Sequence, residues 1–321
     1  MKAAVIDGYG GSGRLQIREV PEPAAPGPGQ VLLRVRAAGI NPVDWKIRKG
    51  SLRLVMPAKF PLVLGGDVAG EVEAVGPEVT RFQLGDAVYG GADFRGLGGG
   101  YAERVLTRES SLAVKPASLS FEEAAALPVA AMTALQALRD KGELAAGERV
   151  VINGAAGGVG HLAVQLAAAL GARVAGVASH RNLDFVRSLG AQEAIDYEEE
   201  DFAGRDGAWD VVFDAVGNRS YQDCEPSLSS DGGIYVTTAV GPRPLLNALF
   251  TGLSGLFGQK KRARWIVAKP VTEDLTLLAH LVDQGRVRPV IQEVFPLEEA
   301  GRAHDLSETG RVRGKLVLRV G

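Results

Sequence analysis

One cysteine, Cys224, stands among 321 residues. A single thiol excludes an internal disulfide and any zinc site built from several thiolates, and it suits a reducing compartment. Histidine is scarce too, with four scattered residues. Neither sign of charge dominates: 36 Lys and Arg stand against 38 Asp and Glu, a net charge of -2. No global field is present to hold a polyanion or an acidic membrane, so nucleic acid is not an expected partner. No stretch reaches the ~18 uninterrupted apolar residues of a membrane-spanning helix. The first twenty residues, MKAAVIDGYGGSGRLQIREV, lack the charged start and apolar run of a secretion signal. These absences predict a cytoplasmic protein with no membrane span.

What is plentiful is glycine, with 42 residues, and it punctuates two textures. From residue 1 to about 120, short β-like runs are broken by glycine and proline: Lys2 to Ile6, Val31 to Ala37, Val68 to Val75, Ala87 to Gly90 and Tyr101 to Leu106. That spacing predicts a small β-barrel or twisted sheet. At Ser120 a plausible N-cap opens a run at helical spacing, with Glu122 and Glu123 in its first turn. From Glu148, apolar strands alternate with helices: Arg149 to Ile152, His161 to Leu170, Arg173 to Ala178, Asn182 to Leu189 and Ala194 to Tyr197, then strands at Asp210 to Val216 and Gly233 to Val240. Such alternation predicts an α/β domain with a parallel sheet covered on both faces. Val290 to Gly321 returns to β-like runs and is expected to complete the first domain. The expected division is 1–120 with 275–321, and 121–274 between them.

The strand-to-helix turn NGAAGGVG comprises Asn153, Gly154, Ala155, Ala156, Gly157, Gly158, Val159 and Gly160. Small residues there let the backbone approach a pyrophosphate, and the positive end of the next helix favours its charge. Ala155 replaces the first glycine of the G-x-G-x-x-G pattern. Dinucleotide binding is the expectation, against a tight turn with no ligand. The next strand ends in Ser179, His180 and Arg181, with no carboxylate until Asp184. An NAD site usually has Asp or Glu there, whereas Arg181 can bind a 2′-phosphate in two-point fashion, so NADPH is favoured over NADH. The competing reading makes Arg181 a solvated charge at a helix start.

Taken together, AAGINPVDWKIRKG, LGGDVAGEVEAVG, LGDAVYG, AAALPVAAMTALQAL, NGAAGGVGHLAVQLA, LGAQEAIDY and RGKLVLRV resemble the medium-chain dehydrogenase/reductase superfamily. The likeness is to its zinc-independent quinone oxidoreductase branch, and HRNLDFVRSLGA with GQKKRARWIVAKPVTEDLTLLAHLVDQGRV is most similar to alkenal/one reductases and chloroplast-envelope quinone oxidoreductase homologues. The resemblance implies a GroES-like β-barrel domain, a Rossmann doubly wound parallel-sheet domain, and a cleft where nicotinamide meets substrate. It also implies that no metal is held. The cysteine ligand of zinc-dependent cousins is replaced at the Ile40 to Asn41 turn, their Gly-His-Glu reads Gly65-Gly66-Asp67, and their four-cysteine lobe is missing.

Without a Lewis acid, the acceptor implied is one that disperses charge itself: an enone, an enal or a quinone. The resemblance sets NPVDWK beside the nicotinamide, making Asn41, Asp44 and Lys46 the catalytic candidates. Asn41 can orient the reactants or merely form an Asx turn before Pro42. Lys46 can anchor an enolate, or be an exposed lysine packed along the barrel. Thr133, Val216, Thr237, Thr238, Ala239 and Val240 match positions around the cofactor, and Tyr197 and Lys315 match positions that approach its phosphates. Asp214 reads as structural or cofactor-side, and His161 as a packing residue. Pro244 to Trp265 joins an apolar run to Lys260, Lys261, Arg262 and Arg264. It reads as a packed helix with solvated charges, a cleft cover, a membrane-surface segment, or a site for the phosphates of a coenzyme A thioester. The alternatives to an enone or quinone reductase are therefore an enoyl-CoA reductase and a non-catalytic NADPH-binding regulator. A homodimer joined through the Rossmann sheet is expected, with GGIYVTTAV as its edge strand.

Overall fold

A computed structural model of the chain describes residues 1–93, 98–239, 242–254 and 260–321, the side chains of 242, 243, 253 and 254 excepted. The chain forms two compact units: Met1–Ala130 with Pro270–Gly285 and Pro289–Gly321, and Ala131–Lys269 with Arg286–Arg288.

In the first unit, Gln30–Ile40 is the organising strand. It pairs antiparallel with Asp67–Val75, with Arg104–Arg108 and with the late strand Lys315–Arg319, which in turn runs parallel to Ile291–Pro296. Alternation places Val31, Leu33 and Val35 in one core with Leu64, Val68, Tyr101, Phe295, Leu316 and Leu318. The helix Phe121–Ala125, capped by Ser120 as the sequence predicts, belongs to this unit rather than opening the second. Its packing decides the matter: a side chain at Gly39 would meet the Ala125 carbonyl oxygen at 2.3 Å. Thr272–Asp283 also belongs here, with Tyr89 Oη donating to the Leu275 carbonyl at 2.6 Å. The boundaries therefore fall about Ala130 and Pro270, not at 120 and 275.

The second unit is built on a six-stranded parallel sheet in the order Glu193–Asp196, Arg173–Ala178, Arg149–Asn153, Val211–Asp214, Ile234–Thr237, Arg262–Trp265. The order runs outward in both directions from Arg149–Asn153, which is the doubly wound Rossmann arrangement with its switch point beside that strand. GGIYVTTAV is an interior strand, contrary to expectation, because Arg262–Trp265 pairs outside it. That strand lies in what reads as a basic stretch; Ala263 alone turns fully into the core between arginines.

Candidate active site

Parallel pairing sets the strand ends of the second unit side by side: Val177 against Asn153, Asn153 against Asp214, and Asp214 against Thr237. This edge gathers Asn153 to Gly160, Ser179 to Arg181, Val216 and Thr237 to Ala239. Val240 lies outside the described residues.

Gly154 has φ +80, and a Cβ there would meet Val216 Cγ2 at 2.4 Å. A Cβ at Gly160 would sit 2.0 Å from the Gly154 oxygen. Only glycine closes this turn onto the start of the helix Gly160–Ala169. Ala155 is tolerated in place of the expected glycine because Gly176 makes room beside its methyl. His161 is fully buried and its Nδ1 lies 2.9 Å from the Gly157 carbonyl oxygen, so it donates there and ties the turn to the helix. The result is a backbone cradle at a helix N-terminus, which fits a dinucleotide pyrophosphate.

Asp214 secures the neighbouring loop. Its Oδ1 accepts from Asn153 Nδ2, Val216 N and Gly217 N, and its Oδ2 from Arg219 N and Tyr235 Oη. Both hydrogens of the Asn153 amide nitrogen are thus engaged within the protein, by Asp214 and by Asn218. Thr237 Oγ1 accepts from Ala239 N and Thr238 Oγ1 donates to the Ala215 carbonyl, so both stitch the same rim. Val216 and Tyr197 are exposed on it, and Thr133 is buried in the helix Pro128–Gln136.

Arg181 is exposed and has no ion-pair partner among the described residues. His180 Nδ1 stands 3.2 Å from Asp196 Oδ2. The sequence reading missed that carboxylate because it lies in the adjacent strand, which pairing brings level with Ala178. With Glu199 the two form a trio whose ligand atoms lie within 4.8 Å, although no metal had been expected. Surface groupings of this sort are common without an ion.

The first unit holds a buried polar cluster. Asn41 precedes the helix Pro42–Arg48, and its backbone N–H donates to Asp44 Oδ2 at 2.8 Å. Its side chain does not form an Asx turn: Nδ2 donates to Asp67 Oδ2 at 2.8 Å, and Lys315 Nζ donates to its Oδ1 at 2.6 Å. Lys315 also stands 3.5 Å from Asp67 Oδ2, and Asp67 Oδ1 takes the Val129 N–H. Burial pushes the Asp67 carboxyl up and the Lys315 ammonium down, and each opposes the other's shift by its charge. Burial also raises Asp44 to about 7, against the Asn41 N–H that favours its anion.

Three of the predicted site residues take the following places. Lys315, placed by resemblance near the phosphates, is 3% exposed and committed to Asn41 and Asp67. Asp44 is fully buried and accepts from the Asn41 backbone N–H and from Tyr101 Oη. Lys46 is exposed, 5.5 Å from the Trp45 ring centroid, and has no bond to a member of the cluster among the described residues. Asp67 and Tyr101 were missed as members; the GGD motif was visible, but the lysine that completes it lies 248 residues later (315 − 67).

Zinc does not fit this cluster. An ammonium already bridges Asn41 and Asp67, no thiolate or imidazole bonds to either, and Cys224 is buried in the core of the other unit. Of the basic run, Lys261 donates to the Glu225 carbonyl, Arg262 pairs with Glu143, and Lys260 stands 4.0 Å from Asp231. The helix Pro242–Ser254 leaves Leu245, Leu246, Leu249 and Phe250 exposed. No described helix is long and apolar enough to cross a membrane.

Residues 27–117 match the family described as alcohol dehydrogenase GroES-like domain, and residues 189–318 the family described as zinc-binding dehydrogenase. The chloroplast envelope quinone oxidoreductase homolog of Arabidopsis thaliana is 37% identical, covering 99% of this chain and 98% of that one. The NADPH-dependent alkenal/one oxidoreductase, chloroplastic, of the same plant is 34% identical over 99% of this chain and 79% of its own. The solved quinone oxidoreductase from Coxiella burnetii aligns with a TM-score of 0.87 at 37% identity, covering 100% of this chain and 99% of that one. With both halves of the fold and nearly its whole length matched, the chain belongs to the medium-chain dehydrogenase/reductase superfamily, among the quinone oxidoreductase and alkenal/one reductase homologues, and is an oxidoreductase.

Proposed function

We propose that the protein is an NADPH-dependent reductase of the conjugated double bond in α,β-unsaturated ketones or aldehydes, or of quinones. The observation that carries this is the ammonium of Lys315 bonded to Asn41 and Asp67 where zinc-dependent relatives would build a metal site. Without a Lewis acid to hold an alkoxide, an acceptor that spreads the incoming charge over a conjugated system is the suitable one. NADPH, when bound, would supply hydride to the β-carbon of an enone or enal, with the π pair passing to the carbonyl oxygen and a proton from water completing the α-carbon. The glycine turn Asn153 to Gly160 would hold the pyrophosphate, with Val216 and Thr237 to Ala239 along the same rim. Ser179, His180, Tyr197 and above all Arg181 would receive the 2′-phosphate, with NADH the poorer cofactor.

Reduction of an enoyl-CoA thioester is less well supported, since three of the four basic residues offered for it already have partners in the fold. A non-catalytic regulator is disfavoured by oxidoreductase relatives of full-length similarity. A cytoplasmic homodimer completes the proposal; Arg262–Trp265 is one of the two edges of the sheet and would pair there, and Cys224 is a buried thiol.

The test is oxidation of NADPH, and separately NADH, with alkenals, alkenones, quinones and enoyl-CoA thioesters, products being identified by mass. Saturation of the carbon-carbon double bond or formation of hydroquinone with NADPH is expected. Cofactor binding without oxidation across the whole panel would sink the proposal.

A further inference from the structure

His180 stands just beyond the strand Arg173–Ala178, and its ring is held at one nitrogen only. Parallel pairing sets Asp196 level with Ala178, so the Asp196 carboxylate lies beside the ring, with Oδ2 3.2 Å from Nδ1. Asp196 is itself pinned: its side chain is 6% exposed, and Oδ1 accepts the Glu198 N–H at 3.1 Å. A carboxylate only accepts, so Nδ1 carries the hydrogen. Nε2 has no hydrogen-bond partner among the described residues, and the His180 side chain is 79% exposed. The charged groups about the ring are Asp196, Glu199 in the turn after it, with an oxygen within 4.8 Å of the other two, and Arg181, next in the chain. All of them belong to the second unit.

The free nitrogen decides what this ring can meet. In neutral imidazole Nε2 is a lone pair, which can accept from a ribose 2′-hydroxyl but meets a phosphate oxygen lone pair to lone pair. In the imidazolium Nε2 donates, and a charge-assisted bond to phosphate becomes available. The two nicotinamide cofactors therefore ask for different charge states of one residue.

We infer that His180 binds the cofactor 2′-phosphate only as an imidazolium, so that NADPH binding takes up a proton and NADH binding does not, and that Asp196 is the positioning residue that leaves Nε2 to the ligand. The inference rests on the NADPH reading above. The proton comes from the buffer and forms the N–H bond at Nε2; nothing is oxidised or reduced. Asp196 and Glu199 favour the imidazolium by their charge, and Arg181 opposes it. The imidazolium in turn offsets the repulsion that two carboxylates would exert on a phosphate. A ligand that needs the protonated ring is held more weakly as pH rises.

Titration calorimetry of the wild-type protein with NADP+ and with NAD+ at about pH 8, in two buffers of different ionisation enthalpy, counts the protons. At that pH a phosphate monoester has already lost its second proton, whose pKa is about 6, and gives up none on binding. About half a proton or more should be taken up per NADP+, and none per NAD+. From about pH 7 to about pH 9 the affinity for NADP+ should fall about tenfold, and that for NAD+ stay within about twofold. His180→Gln offers an amide N–H at every pH, so it should bind NADP+ with no uptake and no such fall. Asp196→Asn keeps an acceptor for Nδ1 and for the Glu198 N–H but not the charge, and should move the fall to a pH lower by about half a unit. NADP+ bound more tightly than NAD+ with no proton taken up, or an uptake that His180→Gln retains, would overturn the inference and keep the NADPH reading. NADP+ bound no more tightly than NAD+ across the whole pH range would remove that reading, and the inference with it.

Discussion

Arg48 Nε donates to His304 Nδ1 at 3.3 Å, with both side chains fully buried. Arginine cannot accept, so the histidine must carry its proton on Nε2, which lies 3.1 Å from Tyr101 Oη. Tyr101 then donates onward to Asp44 Oδ2 at 3.2 Å. Every bond in this chain points towards one carboxylate, and burial with the Arg48 charge holds His304 neutral, at about 3.

A pH dependence of stability follows from that carboxylate. Asp44 faces Tyr101, Asp67 and Lys315 as well as the Asn41 N–H, and burial raises it from 3.8 to about 7. Between those values the folded protein holds a proton that the unfolded chain has released. The folded state is therefore favoured at the acidic end of this window and loses stability as pH rises through it. Thermal midpoints should fall from about pH 5 to about pH 8, and fall less in Asp44→Asn. Equal slopes in the two proteins would refute the assignment.

Cofactor choice should be sensitive to Arg181. It has no ion-pair partner among the described residues, so replacing it with alanine should remove the proposed phosphate contact without breaking a structural one. KM for NADPH should rise about tenfold, roughly 1.4 kcal/mol, while KM for NADH stays within about twofold. Steady-state kinetics with both cofactors checks this; a parallel rise for both would assign Arg181 to another role.

The loop after Val211–Asp214 depends on one side chain. Asp214→Ala would strand three backbone N–H groups and one hydrogen of the Asn153 amide, while the Tyr235 hydroxyl keeps the Arg219 carbonyl at 2.7 Å. A loss of about 3–5 kcal/mol in urea unfolding is expected, with NADPH binding weakened in step. Unfolding unchanged from wild type would show that the loop finds other acceptors.

The sequence made the nucleotide fold legible because its cues are local: apolar strands, a glycine turn and a helix within a short span. The edge strand Arg262–Trp265 was hidden because it is four residues long and half of them are arginine. Ser120 marked a helix start correctly but not the boundary, since packing around Gly39 rather than the cap assigns that helix to its unit. The polar cluster was only half visible. Asn41 and Asp44 are neighbours in sequence, whereas Lys315 reaches Asn41 through antiparallel pairing of strands 274 residues apart. Pairing GKLVLRV with AAGIN at the sequence level would have aligned the lysine with the asparagine.

The position of Lys315–Arg319 beside Gln30–Ile40 also bears on how the protein comes into being on the ribosome. Every strand of the six-stranded sheet leaves the exit tunnel before Lys315 does, so the nucleotide fold has all of its strands while the first unit still lacks one of its own. Until that strand arrives, Asp67 has no ammonium to answer its charge and the Asn41 amide is free to turn. A nascent chain thus has every strand of its six-stranded sheet before the polar cluster of the first unit can close around Asn41 and Asp67.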